Sequence, residues 1–113
     1  MGKPEAAVEQ YLTKQAKLRG WRCDKYTSPS NAGVPDRILI GNGYTIFIET
    51  KAPGEKPRPL QKAIGKDMAA NGAIVIVIDS REQVRQLMDL LESLPVLRIP
   101  HADDIKNISC NYD

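Results

Sequence analysis

The stretch NAGVPDRILIGNGYTIFIETK, residues 31–51, decides how the rest of the chain is read. Arg37–Ile40 and Tyr44–Thr50 are β-rich runs, and Gly41-Asn42-Gly43 lies between them. Together they predict a β-hairpin closed by a three-residue turn containing glycine. Side chains alternate across a strand, so Phe47, Glu49 and Lys51 share one face and Ile46 and Ile48 the other. Two charged groups on the Phe47 face, at the end of an apolar strand, are out of place for a simple hairpin. Asp36 opens the partner strand, and in an antiparallel hairpin the start of one strand lies beside the end of the next. Asp36, Glu49 and Lys51 are therefore expected to converge at one end of a sheet.

Two carboxylates and an amine brought together have a plain reading and a chemical one. The plain reading is a salt bridge among exposed strand ends, worth ~0–1 kcal/mol. The chemical reading is a cation site. Mg²⁺ prefers oxygen and is usually held by one or two carboxylates while keeping several waters. Such an ion polarises a phosphoryl oxygen and lowers the pKa of a bound water. A lysine alongside can stabilise developing phosphate charge or position the attacking water.

Pro35-Asp36 followed by Glu49-Thr50-Lys51 resembles the PD-(D/E)xK nuclease signature. The longer string Gly33-Val34-Pro35-Asp36-Arg37, Phe47–Gly54 and Pro59-Leu60-Gln61 is similar to the VRR-NUC branch, the virus-type replication-repair nucleases. The likeness is greatest to the short stand-alone members of phages and bacteria, and it covers roughly Glu5 to Leu91. It implies an α/β restriction-endonuclease-like domain, an αβββαβ core with a mixed sheet plus a C-terminal helix. It also implies a Mg²⁺- or Mn²⁺-dependent endonuclease in which Asp36 and Glu49 bind the metal and the Thr50 backbone carbonyl is a further ligand. Lys51 would orient or deprotonate the attacking water, with Gln61 in support. A helix glutamate joins the metal site in this family. Glu9, about three turns before Gly20, is the expected residue, acting directly or through water, while Glu5 is read as favouring the positive end of the helix dipole. Branched DNA, notably Holliday-type four-way junctions, cut by a homodimer in DNA repair, is the substrate the resemblance suggests. The alternatives are a nuclease for flaps or single strands, and a non-catalytic DNA-binding replication accessory module. The intact Asp36, Glu49 and Lys51 set argues against the last of these.

The remaining sequence supplies the frame. A chain of 113 residues suits one domain, 1–113, with a core over about 5–94 and a tail over 95–113 that is a candidate interface. A net charge of +2 selects no class of partner. No apolar run approaches the ~20 residues of a membrane span. The N-terminus has no signal-peptide core, so a cytoplasmic location in a bacterial or phage-infected cell is expected. Cys23 and Cys110 fit no metal spacing and read as reduced thiols.

In chain order, Pro4 to about Arg19 predicts a helix stopped by Gly20, with Ala7 or Val8, Tyr11 or Leu12, Gln15 and Leu18 as its apolar stripe. Trp21–Thr27 predicts the first strand. Ser28–Gly33 is a polar loop delivering Asp36, in which Ser28 and Asn31 are candidates for phosphate contact and also plain turn formers. Ala52–Pro59 is a proline-stiffened loop whose Lys56 and Arg58 suit DNA phosphates, as does Lys62 beyond it. Pro59 to about Asn71 predicts a second helix, with Leu60, Ala63, Ile64 and Met68 buried and Gln61 aimed back at the sheet end. Ala73–Asp79, nearly all aliphatic, predicts a central strand buried on both faces beside a parallel neighbour. Ser80 and Gln83 form a capping box for a third helix with Val84, Leu87, Met88 and Leu91 inward. Leu97–Ile99 is a candidate short edge strand, and His101 a surface residue.

Overall fold

The computed structural model describes residues 3–96. The elements run α1 (Lys3–Leu18), β1 (Arg22–Lys25), β2 (Arg37–Gly41), β3 (Tyr44–Thr50), α2 (Pro59–Ala70), β4 (Ile74–Ile78) and α3 (Arg81–Ser93). The sheet order is β1-β2-β3-β4. The first three strands are antiparallel, and β4 lies parallel to β3 after the α2 crossover. This is the expected αβββαβ core with its C-terminal helix. The candidate edge strand at Leu97–Ile99, His101, Cys110 and most of the proposed tail lie outside the described residues. Among the described residues no helix is long and apolar enough to cross a membrane.

The hairpin turn is tighter than expected. Gly41 still pairs with Tyr44, so only Asn42 and Gly43 turn the chain. Both have positive φ, 51° and 85°, the requirement of a type I′ turn, whose twist matches that of the strands. Gly41 owes its identity to something else: a Cβ there would collide with the Trp21 indole. Trp21 itself is not part of β1. Its N–H donates to the Ala16 carbonyl at 2.8 Å, so it closes the end of α1.

One face of the sheet carries the core. Leu39, Ile46, Ile48 and Ile78 meet Val8, Leu12 and Ala16 of α1 and Val84, Met88 and Leu91 of α3. The α1 stripe follows a four-residue step, and Leu18, predicted to lie on it, is 69% exposed. In α3 the predicted face is the buried one, with Leu87 partly buried beside it. The Ser80 hydroxyl caps α3 by accepting from the Gln83 N–H at 3.2 Å. The return bond reaches one residue further back than a capping box, from the Asp79 N–H to the Gln83 side chain at 2.7 Å.

The opposite face departs from expectation. No residue of α2 is buried, Ile64 and Met68 are half-buried, and Leu60 is 53% exposed. Among the described residues β4 is the last strand of the sheet, and Val77, on the α2 side, is 45% exposed; Ile74, also 45% exposed, lies on the core side beside Ile46. An all-aliphatic run registers what its side chains tolerate. Burial on both faces needs a full layer on each, and α2 lies shallow on its side.

Candidate active site

The β2–β3 register pairs Arg37 with Ile48, and one step further along the ladder Asp36 faces Glu49. Asp36 is fixed from both ends. Its carbonyl accepts from the Tyr26 N–H at 2.8 Å. Its Oδ2 accepts from the Thr50 N–H and the Thr50 hydroxyl, each at 2.9 Å. Thr50 is wholly buried and Asp36 half-buried, so the clamp is anchored on its Thr50 side in the interior. The sequence pointed to the Thr50 carbonyl; its amide and hydroxyl holding Asp36 were not foreseen, although a threonine between two charged residues was the available signal.

Glu49 and Lys51 are 4% and 5% exposed, an unusual depth for charged side chains. The Lys51 Nζ stands 4.0 Å from the Glu49 Oε1. The Lys51 N–H donates to the Ile78 carbonyl at 2.8 Å, which extends the β3–β4 pairing to the site. Gln61 reaches back from the first turn of α2, as predicted. Its Oε1 accepts from the Arg58 N–H at 2.9 Å, and its Nε2 donates to the Glu49 Oε1 at 3.2 Å. The first bond requires an acceptor, so it fixes the amide with its nitrogen toward Glu49. Burial, reinforced by the Asp36 carboxylate, pushes the Glu49 carboxyl up to about 8, against the pull of Lys51.

Glu5, Asp36 and Glu49 each offer a carboxylate oxygen within 4.8 Å of the other two. The helix glutamate in this group is thus Glu5, where Glu9 was expected. Arg37 follows Asp36 and so points to the other face, under α1. There its Nε donates to the Glu9 Oε2 at 2.8 Å. Glu9 is committed to that cation, and one turn earlier Glu5 overhangs the end of the sheet. The signal in the sequence was Arg37, a cation next to Asp36 that had to find a carboxylate on the α1 side.

The expected DNA contacts divide. Asn31 is engaged in a turn, its Oδ1 accepting from the Gly33 N–H at 3.2 Å and its N–H donating to the Ser28 carbonyl at 3.0 Å. A Cβ on Gly33 would stand under 3 Å from Leu60 and Ile64, so this loop is pressed onto α2. Lys56, Arg58 and Lys62 are exposed; Lys62 lines a groove together with Glu49, and Arg58 adjoins the Gln61 that bonds Glu49. The 52–58 loop is tied to the end of β4 by the Gly54 N–H, which donates to the Asp79 carboxylate at 3.0 Å.

No family model matches the chain. It is 42% identical over 79 residues to a protein of Acyrthosiphon pisum secondary endosymbiont phage 1 described as "Putative nuclease p44", an alignment covering 69% of this chain and 85% of that one. A solved structure described as "VRR_NUC domain" superposes with a TM-score of 0.71 at 27% identity, over 78% of this chain and 97% of the other. A second, "VRR_NUC domain protein", matches in fold with a TM-score of 0.63 at 20% identity, over 79% and 88% of the two chains. A mixed sheet with carboxylates and a lysine gathered at one end defines a PD-(D/E)xK-type nuclease fold. Within that class, the chain belongs to the VRR-NUC family.

Proposed function

We propose that the protein is a divalent-metal-dependent endonuclease that hydrolyses phosphodiester bonds in DNA. The observation that carries this is the convergence of Glu5, Asp36 and Glu49 beside the buried Lys51. The donor set fits a hard cation, because every ligand atom is a carboxylate oxygen. A Glu49 carboxyl pushed up to about 8 is a group that a neighbouring positive charge returns to its ionised form. Mg²⁺ or Mn²⁺ held there would polarise a phosphoryl oxygen and supply an acidified water.

The chain's own residues do the rest. Thr50 holds Asp36 in one rotamer, and Gln61 holds Glu49. Both carboxylates are therefore set before an ion arrives. Lys51, buried just past the end of β3, orients the attacking water and stabilises charge developing on the phosphate. Lys56, Arg58 and Lys62 hold the DNA by its phosphates. Glu9 supports the site at one remove, through Arg37 next to Asp36.

Branched DNA of the Holliday-junction type, cut by a homodimer in a repair role, is the substrate reading supported by the family. A flap or single-strand nuclease and a DNA-binding accessory module are the competing readings. The deciding experiment is a cleavage panel of linear duplex, flap, single strand and four-way junction in Mg²⁺ and in Mn²⁺, with Asp36→Asn as the folded control. Junction cleavage by the wild type and none by Asp36→Asn is expected. Preference for the flap or single strand replaces the junction, and no cleavage of any substrate in either metal leaves the accessory module.

A further inference from the structure

α2 and the β3–β4 edge enclose a groove of about 250 Å³ that opens from the acidic group. Glu49 and Gln61 are among its lining residues, so the groove continues the site rather than lying apart from it. Gly65 and Ala69 of α2, Val75 and Val77 of β4, and Pro35 and Pro57 make its apolar lining. Lys62 and Lys66, one helical turn apart and both exposed, stand on its rim. Among the described residues, Glu49 is the one carboxylate that lines it.

Gly65 is the informative residue. A glycine in a helix interior costs roughly 1 kcal/mol relative to alanine. A Cβ there would meet the Val75 Cγ1 at 3.6 Å, an ordinary contact, so packing does not exclude a side chain. Its lack of one keeps the groove open. A cavity of this size falls just below the ~300–1,000 Å³ of sites for drug-sized ligands, which suits a group as large as a single base.

We propose that this groove is a subsite for one unstacked nucleotide of the cut strand, with its base on Gly65, Ala69, Val75 and Val77 and its phosphate between Lys62 and Lys66. The proposal deepens the nuclease reading and rests on it for the identity of the strand. Only a base out of the stack offers a whole face to an apolar floor, and unpaired or mismatched bases leave the stack at least cost. Lysines on the rim complement a phosphate and leave sequence unread. Occupation by a base would also give the site a means of preferring branch points to uniform duplex.

The test reads binding apart from catalysis. Four-way junctions and single strands carrying 2-aminopurine at successive positions around the branch are bound to Asp36→Asn protein, which keeps them uncut. One position should brighten on binding, as an unstacked base does. Gly65→Leu and Ala69→Leu, checked by thermal unfolding to be folded, should remove that signal. They should also weaken DNA binding several-fold, as one base loses its apolar contact. In the otherwise wild-type chain they should leave hydrolysis of bis(p-nitrophenyl) phosphate, a phosphodiester too small to need the groove, at its original rate. Absence of that small-substrate activity in the wild type itself would count against the nuclease reading and not the groove. Absence of a brightened position, or its persistence in both leucine variants, would overturn the groove assignment. So would a fall in oligomeric mass in those variants with DNA binding unchanged, which would make the groove an interface between copies of the chain.

Discussion

Glu5 and Glu9 sit one turn apart on the same helix and have different partners. Glu9 is buried against Arg37, so Glu9→Gln should destabilise the fold by about 1–3 kcal/mol, as expected when a shielded charge is left without its partner. Its effect on metal affinity should be small. Glu5→Gln should do the reverse, lowering metal affinity and cleavage while leaving the denaturation midpoint nearly unchanged. Metal titrations set beside urea unfolding of the two variants separate these outcomes; equal weakening of metal binding in both would return Glu9 to the site. Glu49 gives a pH dependence with a definite sign. Its carboxyl is raised in the folded state from the ordinary 4.5 to about 8. In metal-free protein the stabilisation from keeping it protonated is complete below pH 4.5 and is lost as pH rises through 8. An ion must displace that proton, so metal affinity should climb by up to about tenfold per pH unit through the neutral range and level off above pH 8. Calorimetric titration at several pH values checks this, and Glu49→Gln should abolish the slope along with most of the binding.

At the scale of elements, the 52–58 loop is the piece whose role is open to direct measurement. It is tied to Asp79, carries two prolines, and exposes Lys56 and Arg58. Replacing both with alanine should weaken DNA binding and lower the log–log salt slope by ~0.9 for each duplex phosphate no longer neutralised. An unchanged slope would make the loop merely solvated. The hairpin and the meeting of Asp36, Glu49 and Lys51 were legible in the sequence because strand parity and antiparallel pairing are local rules. Gln61 was legible because Pro59 fixes where α2 begins. The choice between Glu5 and Glu9 was not, since it depends on how α1 is rotated over the sheet, and the Arg37–Glu9 pair goes with that rotation. Nor was the exposure of Val77 on the α2 side of β4. Five aliphatic residues in a row reveal nothing of how deeply α2 would sit, and α2 sits shallow.

The molecule, over its described residues, presents one acidic group of this kind, while a four-way junction has two symmetric strands to cut. Paired incision calls for two copies about a two-fold axis, the commonest oligomer symmetry. Light scattering at micromolar concentration should therefore give twice the chain mass for the protein alone, or two chains per junction in the complex. A monomer under both conditions would remove the case for coordinated cutting. The outer side of β4, over the described residues, has a further, practical consequence. Among the described residues no strand pairs with its outer side, and Ile74 and Val77 are open beside it. A short, uncharged, aliphatic strand with one row of backbone groups free is a template for unplanned sheet growth. Unless that row is covered, turbidity on warming or concentration should precede the fading of helical signal, and colloidal behaviour rather than unfolding would set the shelf life of a preparation.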